Sequence, residues 1–164
     1  MYHFMIEIKN LTKKFGTKLV LNDLNFSVDK GEILGFLGPN GAGKTTTMKI
    51  ITSFWPPTSG SVLIDGIDTA VDSLATRKKI GYLPETVPLY DDMRVFEYLR
   101  FIAEIRGLEK REIKARIKEV VSTCGLAKVL RQPIEELSKG YRQRVGLAQA
   151  LIAADADAQV RAVL

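Results

Sequence analysis

Gly38-Pro39-Asn40-Gly41-Ala42-Gly43-Lys44-Thr45 fits the pattern G-x-x-x-x-G-K-[ST] and lies between an apolar run and a helical one. Such a loop holds a nucleoside triphosphate. Its glycines let backbone N–H groups turn towards phosphate oxygens without a Cβ in the way. The Lys44 ammonium would reach the β- and γ-phosphates, and the Thr45 hydroxyl would hold a magnesium ion. The helix that continues through Thr46 would add its positive dipole end. An ordinary Gly-rich turn is the alternative, and a strand before with a helix after argues against it.

Several elements must position this loop. Residues 33–37, Ile-Leu-Gly-Phe-Leu, read as a short buried strand entering it, and residues 46–51 as the helix leaving it. Upstream, residues 6–28 alternate apolar and polar side chains in β-like pieces, closed by the Asp29-Lys30-Gly31 turn. Downstream, Trp55-Pro56-Pro57-Thr58-Ser59-Gly60 breaks the regularity, and residues 61–64 form another strand ending at an Asp65-Gly66 turn. Residues 62–65 imitate an apolar strand closed by a magnesium-holding acid, but the Asp-Gly pair already accounts for them. Residues 95–106 put Val95, Leu99 and Ile102 on one helix face, with Phe96, Tyr98, Phe101 and Ile105 leaving little of the other side polar. In residues 109–124, Ile113, Ile117, Val120 and Cys124 form one stripe opposite mixed charges. Packing within such helices is the ordinary role for their aromatic residues.

A second motif, Leu137-Ser138-Lys139-Gly140-Tyr141-Arg142-Gln143-Arg144, precedes a helical stretch at 145–152 rich in Ala and Leu. Alone, Ser138 reads as a helix N-cap. With the phosphate loop upstream, the chain resembles the ATP-binding subunits of ABC transporters, whose signature is usually Leu-Ser-Gly-Gly-Gln. Lys139 stands where that family often has Gly and Tyr141 where it often has Gln. Both variants are similar to those of subunits paired with ABC-2-type exporters. The resemblance covers nearly all of the chain as far as Ile152. It implies an α/β P-loop NTPase of ABC type with an N-terminal antiparallel β layer and a helical subdomain. It also implies ATP and Mg2+ as ligands, and ATP hydrolysis that powers export. The implied partners are a second ATP-binding subunit in a head-to-tail dimer and a membrane-spanning permease subunit docked on the helical subdomain. In that dimer Ser138 and the N–H groups around Gly140 bind the γ-phosphate held by the opposite subunit. The implied location is cytoplasmic, peripheral on the inner face of the cell membrane.

Further roles follow from the same resemblance. Phe15-Gly16 resembles the aromatic position that stacks on adenine, with a core Phe as the alternative. Glu85, after Ile80-Gly81-Tyr82-Leu83-Pro84, stands at the Q-loop where Gln is usual. Its carboxylate is either a magnesium ligand, a group repelling the γ-phosphate, or a solvated loop acid. The expected division of the single domain, 1–164, is a β layer and P-loop core at 6–60, a helical subdomain at 86–132, the signature and its helix at 137–152, and an atypical tail at 153–164.

The chain also departs from the family. Its members need a second apolar strand ending in an Asp, the Walker B motif, then a Glu that polarises water and a switch His. No Glu follows Glu136 and no His follows His3, while Asp155 and Asp157 sit in an Ala-rich run. Residues 160–164 read as the opening of the Walker B strand, which in the family lies near the strand of the P-loop. The expectation is an α/β domain lacking the C-terminal part of its core, poorly covered beside residues 33–37, with no intact catalytic group and Glu85 as the only nearby substitute base. The alternatives are a non-catalytic nucleotide-binding fragment or pseudogene product, and a soluble non-transport ABC ATPase of repair or translation. The latter usually carries paired domains or long insertions.

Composition bounds these readings. The 164 residues are one domain's worth, and 46% hydrophobic content suits a globular core. A single cysteine, Cys124, excludes an internal disulfide and reads as a buried small hydrophobe. The charge of +5 is spread among acidic residues, as in Glu109-Lys110-Arg111-Glu112, so no nucleic-acid groove is expected. No apolar run reaches membrane-spanning length, and the N-terminus has no signal-peptide pattern. Translation from Met5 instead of Met1 would remove His3, which carries no functional weight.

Overall fold

The computed structural model describes residues 5–153 and 160–163. They fall into two compact units that divide between Ile80 and Gly81. In the first, β1 (Ile6–Phe15) and β2 (Lys18–Val28) form an antiparallel hairpin. Alternation along these strands buries Ile8 and Leu11 on one and Leu21 and Val28 on the other. The chain then passes through the Gly-rich loop at 38–43 into α1 (Lys44–Ile51), which adds the buried Ile50 and Ile51. β3 (Ser59–Ile64) pairs antiparallel with β1, and β4 (Ile67–Asp68) with β3, giving the sheet order β2-β1-β3-β4. Asp65 and Gly66 between them both have positive φ, as a two-residue hairpin turn demands. Asp65 also pairs with Lys79, a structural contact. The unit closes with α2 (Ser73–Lys78), N-capped by Asp72, whose Oδ1 accepts from Ala75 N at 2.9 Å.

Residues 33–37 do not form the expected strand. Residues 32–39 have no regular structure, and Ile33 and Leu37 are 97% and 95% exposed. An apolar run becomes a strand only where another strand accepts its ladder of hydrogen bonds. None of the described strands pairs with this one.

β5 (Ile80–Leu83) spans the division, and the second unit continues into α3 (Val95–Ile105) and α4 (Lys110–Thr123). Glu97 accepts from Arg94 N at 3.2 Å and so holds the start of α3. Two 3-10 turns, Ala127–Val129 and Ile134–Glu136, lead to α5 (Lys139–Ala153). The last element, β6 (Val160–Val163), pairs with β5. The core brings together Tyr98, Leu99 and Ile102 of α3, Ile113, Ile117 and Val120 of α4, and Val145, Ala148 and Ile152 of α5. Cys124 belongs to this core, and burial raises the pKa of its thiol against a smaller opposing effect of Arg144. Helix α5 begins at Lys139, six residues before the stretch read as helical, because Ser138 initiates it. Its carbonyl accepts from Arg142 N at 2.9 Å.

Candidate nucleotide-binding site

The loop at 38–45 is shaped by its glycines. Gly41 and Gly43 have φ of +84° and +88°, a conformation that an L side chain resists. A Cβ on Gly43 would also lie 2.5 Å from Leu21 Cδ2 and 3.2 Å from the Val20 carbonyl oxygen. Gly43 therefore lets the start of α1 pack directly onto β2. No side chain caps α1 and its first turn holds no acid, so its positive end is left for an anion. Thr47 Oγ1 donates to the Gly43 carbonyl at 3.0 Å and stiffens the turn from within. The Lys44 ammonium folds back over the loop and donates to the carbonyls of Gly38 at 2.6 Å and Pro39 at 2.9 Å. Thr45 is exposed and Thr46 half-buried at the same helix end, while Asn40 and Ala42 form the exposed rim. Concentrated N–H groups, a fixed ammonium and a hydroxyl can together hold a polyphosphate and its cation.

Phe15 is not a core residue. It is 42% exposed at the end of β1, and its ring meets Trp55 edge-on at a centroid distance of 5.0 Å. The Lys49 ammonium lies 4.4 Å from the Trp55 centroid and 5.5 Å from that of Phe54. Neither Trp55 nor Lys49 was marked by sequence reasoning. The Trp-Pro-Pro cluster read only as a break, although an aromatic in a polar turn was the available signal.

In the second unit Ser138 is exposed, and its Oγ accepts from Tyr141 N at 3.4 Å. Gly140 is exposed too, and a Cβ there would touch nothing within 4 Å. Packing within the chain therefore does not require glycine at 140. Glu85 is exposed, and its backbone carbonyl accepts from Gln143 Nε2 at 3.2 Å. Among the described residues no group of three or more His, Cys, Asp and Glu side chains could hold a metal ion.

The segment around Glu85 is strapped along α5. Arg142 pairs with Asp91 at 2.7 Å and donates to the Ile134 carbonyl at 3.1 Å. One turn on, Gly146 faces Val87 and Leu83, and another turn on, Gln149 Oε1 accepts from the Tyr98 hydroxyl at 2.6 Å. Burial, with Tyr90 adding to it, pushes the Tyr98 pKa up to about 12. Gly146, Gln149 and Tyr98 were missed as a group. A glycine inside a helical pattern was the one sequence signal for them.

Comparison with known proteins accords with this geometry. The family model described as ABC transporter matches residues 21–156. The probable multidrug ABC transporter ATP-binding protein YbhF of Escherichia coli (strain K12) is 39% identical over 90% of this chain, which spans 26% of that protein. The ABC transporter ATP-binding protein NatA of Bacillus subtilis (strain 168) is 36% identical over 90% of this chain, which spans 62% of it. A solved ATP-binding subunit of an ABC transporter superposes with a TM-score of 0.83 at 33% identity, covering 91% of this chain and 62% of that one. The chain thus spans between about a quarter and just under two thirds of the length of these relatives. It belongs to the ABC transporter family of ATP-binding proteins.

Proposed function

We propose that the chain binds ATP with Mg2+ as part of the ATP-binding subunit of an ABC exporter. The observation carrying this reading is the loop at 38–45, where left-handed glycines open the start of α1 and Lys44 is held over the loop mouth. Residues 38–43 wrap the phosphates, Lys44 neutralises the β- and γ-oxygens, and Thr45 and Thr46 serve the cation and the phosphates from the helix end. Phe15 carries the adenine ring. Ser138 and Gly140, exposed at the start of α5, serve the nucleotide of a second, head-to-tail subunit. Glu85 senses the γ-phosphate or its cation from its exposed loop.

Among the described residues no helix is long and apolar enough to cross a membrane. A permease subunit would supply the membrane passage and, with it, the choice of substrate. Tyr90, Phe96 and Ile105 lie exposed on the second unit and give such a partner an apolar surface. The chain then works at the cytoplasmic face of the membrane. The roles of relatives support export, since YbhF is named for multidrug transport and SrtF of Streptococcus pyogenes for lantibiotic transport.

Equilibrium dialysis with ATP and Mg2+ tests the reading. Lys44→Ala keeps the loop N–H groups but loses the charge facing the phosphates, and affinity falls by at least about tenfold. Unchanged binding overturns the assignment of the loop.

A further inference from the structure

Lys13 is a buried lysine, 9% exposed, that forms no ion pair among the described residues. Lysines are rarely this buried unless paired. Its Nζ instead donates to the Pro56 carbonyl at 2.6 Å and lies 5.0 Å from the Phe15 ring centroid. The same stretch of β1 holds the loop that carries Pro56 at further points. Lys14 N donates to Thr58 Oγ1 at 3.0 Å, and Thr58 N donates to the Thr12 carbonyl at 2.9 Å. Trp55, beside Pro56, is thereby set edge-on against Phe15.

We propose that Lys13 is a positioning residue for the Phe15 nucleobase platform, clamping the Trp55-Pro56 corner against the ring so that one aromatic surface stays fixed for the base. This rests on Phe15 receiving the base of the nucleotide bound at 38–45. The physical case is that a lone exposed ring at a strand end rotates freely, and its ordering on binding opposes stacking. A ring already in contact with an ammonium and an indole has lost that freedom beforehand.

Calorimetric titration of the full chain compares Mg2+-ATP with Mg2+-tripolyphosphate, which has no base to stack. The wild type binds ATP more tightly than tripolyphosphate. Lys13→Met lowers ATP affinity about tenfold, the size of a lost base stack, and leaves tripolyphosphate binding unchanged. Lys13→Arg, which keeps a donor and a cation over the ring, restores the preference. If Lys13→Met does not fold, Trp55→Leu removes the wall while leaving the Lys13 hydrogen bond, and the same split is expected. A wild type with no preference for ATP overturns the underlying role of Phe15. A wild-type preference that persists in these variants, or equal loss for both ligands, overturns the role of Lys13.

Discussion

Gly146 lies against Val87 so closely that a Cβ on the glycine would stand 2.6 Å and 2.7 Å from the two Val87 methyl carbons and 3.0 Å from Leu83 Cδ1. In the middle of α5 the segment following β5 thus comes close to the helix backbone. That contact ties the loop bearing Glu85 to the helix that Ser138 begins.

Gly146→Ala tests this contact. Alanine favours the helix by about 1 kcal/mol, but the methyl group must push Val87 or α5 aside, which costs about 1–3 kcal/mol. A net loss of about 1 kcal/mol is expected, read as a lower urea midpoint. Val87→Ala in the same chain relieves the clash, so the double variant recovers part of the midpoint.

Tyr98 gives a pH test. Its hydroxyl holds its proton up to about pH 12 in the fold, because burial disfavours the phenolate and Tyr90 adds to the effect, while the unfolded group titrates near 10. The stability linked to this shift is present below pH 10 and is lost as pH rises towards 12. Tyr98→Phe removes that dependence. It lowers stability at pH 7 by about 1 kcal/mol through the lost bond to Gln149, and the gap to the wild type narrows between pH 10 and 12. Urea titrations of both proteins across that range check it, and a constant gap would refute the assignment.

Amide exchange separates residues 33–37 from the sheet. Without ladder partners, and with Ile33 and Leu37 almost fully exposed, their amides exchange at rates near those of an unstructured chain. Ile8, paired with Phe26 and Val62, stays protected. Mass-spectrometric exchange on peptides from the two regions reads the contrast directly. Strong protection at 33–37 would show that this segment is paired.

Turnover is expected to be absent from this chain alone. Orienting and activating water is a contribution separate from holding phosphate, and Glu85 is the candidate substitute base proposed here. Phosphate release by the wild type should match that of Lys44→Ala. Release that disappears in Glu85→Gln would make Glu85 catalytic.

The sequence by itself determined the Gly-rich turn that leads into α1, the start of a helix after Ser138, and the apolar stripes of α3 and α4. Each is written in local terms: glycines where φ must be positive, Ser138 before a helix, and Ile113, Ile117 and Val120 at helical spacing. The Asp65-Gly66 turn was legible for the same reason. Only the tertiary structure decided the rest. The run at 33–37 has the composition of a buried strand, yet composition cannot supply the neighbour that a strand's hydrogen bonds require. Nor does alternation along β1 say that Lys13 turns inward beneath Pro56, since the register of β1 against β2 shifts on either side of it. The partners of Phe15, Gly146 and Tyr98 lie 40, 59 and 51 positions away, at Trp55, Val87 and Gln149. Contacts over such separations are set by how sheet and helices pack, and no local residue pattern encodes them.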